Sequence, residues 1–154
     1  MKKIILFFSL GLMLFGCKKD EGYTSPFEGT EDQQIDAYVA SKNLTVTFKT
    51  VSGLRYILTK PNPSGTLATS GKKITVNYVG KLLNDSIFDQ GNFDFTLGVG
   101  SVIRGFDVGV AMMKVGEKAT LVFPSTLGYG SAGSGSKIPG NVPLIFEIEV
   151  VAIN

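Results

Sequence analysis

Histidine is absent from this 154-residue sequence, and cysteine occurs only once, at Cys17. The absence of histidine removes the commonest general base and the commonest metal ligand of proteins. A single cysteine has no partner within the chain for a disulfide bond. We therefore expect a function that needs neither imidazole chemistry nor a metal centre.

The chain also lacks an excess of charge of either sign. It has 15 basic and 13 acidic residues, and without Lys2 and Lys3 it has 13 of each. Proteins that bind nucleic acid neutralise phosphates with clustered Lys and Arg, and a balanced chain gives no electrostatic reason for such binding. We predict no nucleic-acid partner.

The first 17 residues have the form of a signal peptide. Lys2 and Lys3 precede an apolar run, Ile4–Phe15, that only Ser9 and Gly11 interrupt. This run is shorter than the roughly 20 residues that span a bilayer. Gly16 and Cys17 follow the run, and the chain becomes polar immediately after Cys17. This junction resembles a bacterial lipobox.

In lipobox proteins the cysteine becomes the mature N-terminus and carries the lipid. Each buried methylene contributes about 0.8 kcal/mol, so several acyl chains on Cys17 replace the removed segment as the membrane anchor. We expect a protein outside the cytoplasm, on the outer membrane, facing the periplasm or the cell surface. The alternative is an ordinary secretory signal in which Cys17 falls by chance.

After the signal, we predict a flexible tether over residues 18–29, which contain two glycines and a proline. A short amphipathic helix then follows from Thr30 to Lys42. Thr30 and Gln33 have the spacing of a capping box, and apolar side chains recur at helical intervals from Ile35.

Alternating apolar and polar residues predict strands over most of the remaining chain. They cover residues 45–50, 53–58, 73–83, 92–97, 118–123 and 144–150. Phe106, Val110 and Met113 have helical spacing between two of these strands, and Gly116 is a candidate for the position just after the helix.

These elements predict an α+β fold, in which an antiparallel half-barrel sheet of five to six strands curves around one short helix. The N-terminal helix and the tether precede it. We divide the chain into a signal peptide (1–17), a tether (18–29), an extension of helix and strand (30–69) and a main domain (70–154).

Six short motifs then occur in an order and spacing that resemble the FKBP-type peptidyl-prolyl isomerases. The resemblance covers about residues 70–153. The motifs are Val76–Gly80, Phe88-Asp89, Val102–Phe106, Gly128–Gly130, Ile138-Pro139 and Leu144–Glu149.

The resemblance implies isomerisation of X–Pro bonds in exported polypeptides, with no cofactor and no metal. It implies that the Ile103 amide and the Tyr129 hydroxyl bind substrate carbonyls, while Asp89 is held by donors at the pocket wall beside Tyr78. It also implies macrolide inhibitors as ligands. The remaining pocket residues it implies are Phe88, Phe93, Val102, Phe106, Ile138 and Phe146.

The sequence departs from the family pattern in three places. The segment Gln90–Asn92 is short, Phe106 replaces the usual tryptophan, and Lys137 stands where an apolar residue is common. Without the resemblance, the aromatic residues would be read as core. The alternative function is a non-catalytic module that binds proline segments or acts as a chaperone, and a carrier of small solutes is a further alternative.

Overall fold

The computed structural model describes residues 22–154, so the predicted signal segment and Cys17 lie outside the described residues. Within this range six strands form one sheet in which all neighbours are antiparallel, in the order β1-β2-β5-β6-β3-β4. The α+β fold predicted from the sequence is confirmed. The strands are β1 (Phe48–Lys49), β2 (Arg55–Lys60), β3 (Lys73–Lys81), β4 (Ile87–Thr96), β5 (Lys118–Phe123) and β6 (Leu144–Ile153).

The inner face of the sheet packs on one short helix, α2 (Arg104–Val110). Gly105 and Gly109 let this helix approach the sheet closely, since a Cβ at these positions would lie 2.6 Å from Phe123 and 2.1 Å from Leu121. Phe106 and Val110 are buried in the core that results. The tight contact fixes the helix against β5 and β6.

This helix ends earlier than the sequence predicted. Val110 is its last helical residue and Ala111 is the C-cap. Gly116, with φ +83°, lies in the turn before β5. The Gly116 N–H donates to the Val150 carbonyl on β6 at 2.8 Å. Met113 is fully buried, so its apolar character reflects burial in the turn rather than another helical turn.

The outer face of the sheet is covered by the N-terminal helix, α1 (Glu31–Ser41). The predicted capping box is present, with Thr30 as N-cap and Gln33 as its partner. Successive strand residues point to opposite faces of the sheet. The strand residues of the core under α1 therefore alternate along the chain with those of the core around α2. This second core consists of Ile35, Tyr38, Val39, Ile57, Leu83, Val122 and Ile145.

Two segments differ from their sequence-based descriptions in detail. β1 contains only Phe48 and Lys49, both exposed, rather than the whole of residues 45–50. Tyr23 and Phe27, within the predicted tether, pack against the two cores. Within residues 22–154, neither helix has the length and apolar character needed to cross a bilayer.

Candidate active site

A cavity of about 810 Å³ opens on the inner side of the sheet, between β3, β4, β6, α2 and the segment that follows β5. All ten pocket residues named from the sequence line it. They are Tyr78, Phe88, Asp89, Phe93, Val102, Ile103, Phe106, Tyr129, Ile138 and Phe146. The structure thus brings them together, and their individual roles in binding and catalysis stay predictions.

The floor of the cavity is the ring of Phe106, which α2 presents to the sheet. Its centroid lies 5.2 Å from that of Phe146 and 6.1 Å from that of Tyr78, with the rings nearly perpendicular in both pairs. Phe93 lies 5.8 Å away at a tilt. Edge-to-face contacts of this kind stabilise an aromatic cluster beyond its buried area, so the apolar walls are held in a fixed arrangement.

Gly80, in the first of the six motifs, makes room for one of these walls. A Cβ at this position would lie 2.5 Å from the Phe88 ring and 3.1 Å from the Phe146 ring. Gly80 is opposite Asp89 on the neighbouring strand, one residue from Phe88. A larger residue at position 80 would therefore displace Phe88.

A hydrogen bond joins β3 to β4 at the cavity wall. Tyr78 Oη donates to Asp89 Oδ2 at 2.6 Å, and the Gln90 N–H donates to Asp89 Oδ1 at 2.9 Å. Burial, and then the hydrogen bond and charge of Asp89, raise the pKa of Tyr78 to about 12. The hydroxyl therefore stays protonated near neutral pH, and Asp89 accepts hydrogen bonds from two donors at the cavity wall.

Two further donors meet the cavity. Ile103 directly precedes α2, and its N–H has no acceptor among the described residues. Tyr129 is 36% exposed at the opposite wall, and burial, followed by the negative charge of Asp89, raises its pKa. Tyr129 thus also keeps its proton and can donate a hydrogen bond.

The rim of the cavity adds Lys137, already noted from the sequence, and four residues that sequence reasoning did not name. A short loop folds back on itself there, because Ser134 N donates to Ile138 O at 2.8 Å. Lys137 Nζ lies 3.4 Å from the Phe88 carbonyl, and no carboxylate among residues 22–154 pairs with it. No motif marks the additional rim residues, Ser101, Ser134, Gly135 and Ser136.

An apolar cavity with isolated donors suits a ligand that has an apolar ring flanked by carbonyl groups. In the part of the chain that the structure describes, no three metal-ligating side chains come together. The lining of the cavity itself suits the binding of amide groups.

Comparisons with known proteins agree with this geometry. A family model described as FKBP-type peptidyl-prolyl cis-trans isomerase matches residues 65–151. FK506-binding protein 2 from Dictyostelium discoideum is 47% identical over 107 residues, which cover 66% of this chain and 78% of the relative. FKBP15-1, a peptidyl-prolyl cis-trans isomerase from Arabidopsis thaliana, is also 47% identical over 107 residues, or 68% of its length.

A bacterial relative is similar over a shorter stretch. An FK506-binding protein from Neisseria meningitidis is 45% identical over 94 residues, which cover 58% of this chain and 86% of the relative. Two longer curated relatives are matched over only 33% and 21% of their own lengths. With more than half of its residues matched by the family model, the chain belongs to the FKBP-type peptidyl-prolyl cis-trans isomerases.

Proposed function

We propose that this chain is a lipid-anchored peptidyl-prolyl isomerase that assists the folding of exported polypeptides outside the cytoplasm. One observation carries the catalytic part of the proposal. One apolar cavity brings an aromatic floor together with the Tyr129 hydroxyl and the Ile103 N–H, which has no acceptor within residues 22–154. The membrane and export parts depend on the sequence around Cys17.

The reaction needs little more than this environment. Rotation about an X–Pro bond meets a barrier of roughly 18–20 kcal/mol because the C–N bond has partial double-bond character. Twisting the amide removes that resonance, which makes the carbonyl less polar and the nitrogen more basic. An apolar cavity therefore favours the twisted amide over the planar one relative to water, and this difference lowers the barrier.

The residues then have separable roles. The proline ring would lie on Phe106, between Phe88 and Phe146. The Ile103 N–H and the Tyr129 hydroxyl would each donate to a substrate carbonyl and hold the chain on either side of the twisting bond. No proton moves to a side chain and no covalent intermediate forms, which agrees with a site that contains neither histidine nor cysteine.

We also propose that macrolides of the FK506 type occupy the same cavity. The support is the naming of relatives from Dictyostelium and Neisseria as FK506-binding proteins, together with the predicted pocket residues that line the cavity. The short segment Gln90–Asn92 lets β4 run without interruption from Ile87 to Thr96. This edge would reach less far around a macrolide than a longer segment would, so we expect weaker binding than in relatives with the longer form.

An isomerisation assay tests the proposal directly. The full chain in mild detergent should accelerate cis-to-trans conversion of a proline tetrapeptide, and FK506 should inhibit it. Binding of the peptide without acceleration would instead indicate the non-catalytic proline-binding or chaperone module, which family membership does not favour. A refolding substrate whose slow step is proline isomerisation gives the same comparison on a protein.

The support for the anchor is the apolar run that ends at Cys17, the only cysteine in the chain. A mature N-terminus at this residue would place the lipid only six residues before Tyr23, which packs on the domain. The isomerase would then be held close to the membrane surface. The cluster Lys18–Glu21, basic and then acidic, also resembles an export signal for surface lipoproteins.

Replacing Cys17 with serine should abolish lipid labelling and either release the protein into the soluble fraction or block its processing. Labelling with palmitate that is equal in Cys17→Ser and wild type would contradict the anchor. Protease added to intact cells should degrade the protein if it faces outward. Protection in intact cells with loss after lysis would place it in the periplasm.

A further inference from the structure

A chain of hydrogen bonds connects α1 with the wall of the cavity. Glu31, in the first turn of α1, accepts from the Ser125 N–H at 2.6 Å and from the Ser125 hydroxyl at 2.7 Å. Ser125 is only 3% exposed, so water competes little for these bonds to a carboxylate. The two residues are 94 positions apart, and Glu31 lies outside residues 65–151, which match the family model.

Ser125 in turn holds the backbone on both sides of Tyr129. Its carbonyl accepts from the N–H groups of Gly128 and Gly130, both at 2.8 Å. The Gly130 carbonyl accepts from the Asn141 N–H, also at 2.8 Å, at the base of the rim loop. A shift of Ser125 would therefore move Tyr129 and, through Gly130, this loop.

The position of α1 does not depend on Glu31 alone. Arg55, fully buried on β2, pairs with Asp32 at 2.6 Å and with Asp36 at 2.5 Å. The apolar face around Ile35 adds the second core beneath the helix. Glu31 can thus be changed while α1 stays docked, which separates its effect on Ser125 from its effect on the fold.

We propose that Glu31 is a positioning residue for the isomerase: through Ser125 it fixes Tyr129 where its hydroxyl can donate to a substrate carbonyl. This inference rests on the proposed function, and it gives the N-terminal helix a part in catalysis. Misplacement of a catalytic group by about 1 Å can cost about 100-fold in rate, so a smaller displacement has a measurable effect.

The test compares two changes on the same helix in the full chain in detergent. Glu31→Gln keeps the shape of the side chain but removes its charge and leaves one acceptor oxygen for the two Ser125 donors, so the bonds to Ser125 weaken. Tyr38→Phe removes a hydrogen bond to Asp85 of 3.0 Å without touching Ser125. We expect Glu31→Gln to lower kcat/KM about fivefold at a temperature where both variants are folded, and Tyr38→Phe to leave it unchanged.

A double variant shows whether the effect passes through Tyr129. In a Tyr129→Phe background, Glu31→Gln should cause no further loss, because the hydroxyl it positions is gone. An equal loss in both backgrounds, or a loss no greater than that of Tyr38→Phe, would overturn the inference.

The NMR signals of the Tyr129 ring, assigned by their absence in Tyr129→Phe, give a readout that does not depend on activity. They should shift in Glu31→Gln and stay in place in Tyr38→Phe. If the wild-type chain shows no isomerase activity, the proposed function fails. Unchanged ring signals in Glu31→Gln would overturn the placement of Tyr129 by Glu31, whereas shifted signals in an inactive chain would support that placement and overturn its part in catalysis.

Discussion

Asp89 is the acceptor that joins β3 to β4 at the mouth of the cavity, and its environment sets what its loss would do. Tyr78 and the Gln90 N–H both donate to it, yet Asp89 itself is exposed. Its replacement would remove a polar part of the cavity wall, next to the proposed position of the twisting amide, and leave the sheet and core unchanged. Catalysis should therefore depend on Asp89 more than stability does.

We expect Asp89→Leu and Tyr129→Phe each to lower kcat/KM about tenfold, equivalent to about 1.4 kcal/mol of transition-state stabilisation. The melting temperature should change little in either variant. The matched control is Phe95→Leu, a buried neighbour of Phe106 at 5.6 Å, which should lose about 1.5 kcal/mol of stability and keep most activity. If activity follows stability in all three variants, the predicted pocket roles are wrong.

Lys137 gives the rim of the cavity a positive charge that no carboxylate of residues 22–154 neutralises. With the proline ring on Phe106 as proposed, a substrate residue next to the proline would pass this rim. We expect a peptide with Glu before proline to be a better substrate than one with Lys, by about threefold, as for an exposed ion pair. Lys137→Met should remove this preference, and added salt should weaken it in the wild type.

A kcat/KM ratio for the Glu and Lys peptides that is the same in wild type and Lys137→Met would contradict this preference. A peptide with Leu before proline is the control, because its rate should change little with salt.

At the scale of elements, α1 is held by an ion-pair arrangement with unequal partners. The Arg55 side chain is 1% exposed, whereas those of Asp32 and Asp36 are 55% and 58% exposed. The two carboxylates can return to water when their partner is lost. The guanidinium cannot, since it also donates to the backbone carbonyls of Gly53 and Asp32.

This asymmetry predicts which side of the pair matters more for stability. The double variant Asp32→Asn with Asp36→Asn leaves a buried charge without a counter-ion and should cost about 3 kcal/mol in urea unfolding. Arg55→Met should cost about half of that. Lys42→Met, which breaks an exposed pair with Asp85, should cost less than about 1 kcal/mol. A larger loss for Arg55→Met than for the double variant would contradict the expected order.

The elements that sequence reasoning found correctly are those with a local signal. The capping box of Thr30 and Gln33 and the alternation from Leu144 in β6 are both present in the structure. The predicted end of α2 was wrong, because helical spacing assigns Met113 to the apolar helix face. In the structure Met113 follows the helix and is buried in the turn. Ile145 lies on the outer face of β6, in the second core. Glu147 is on the same face of the strand, and its charge led us to expect that this face is exposed to solvent.

For the molecule as a whole, the family motifs located the aromatic walls, since each motif reports its own strand or turn. The contacts that connect distant segments have no such signal. Ser125 meets Glu31 across 94 positions, and Arg55 reads in the sequence as an ordinary polar strand residue although it is fully buried. Only the packed structure shows that the N-terminal helix and the cavity wall share one hydrogen-bonded network.

The tyrosines give the whole molecule a dependence on alkaline pH. All five have a pKa raised above 10.0, chiefly through burial, and those of Tyr56 and Tyr78 are raised to about 12. A raised pKa means that the unfolded chain loses these protons first. Stability is therefore fully present below about pH 10 and falls as the pH rises toward 12.

Tyr56 offers the sharpest test of this fall, because it is 5% exposed and its pKa is raised by burial first and then by the charge of Glu117. Tyr56→Phe should have near wild-type stability at pH 8, where the phenol is neutral in both states. Between pH 10 and 12 the free energy of unfolding should fall less steeply in the variant, by up to about 1.4 kcal/mol per pH unit. Phe95→Leu lowers stability without removing a phenol, so its pH curve should run parallel to that of the wild type. Parallel curves for Tyr56→Phe and wild type would mean that the Tyr56 hydroxyl ionises as easily in the folded protein as in the unfolded chain.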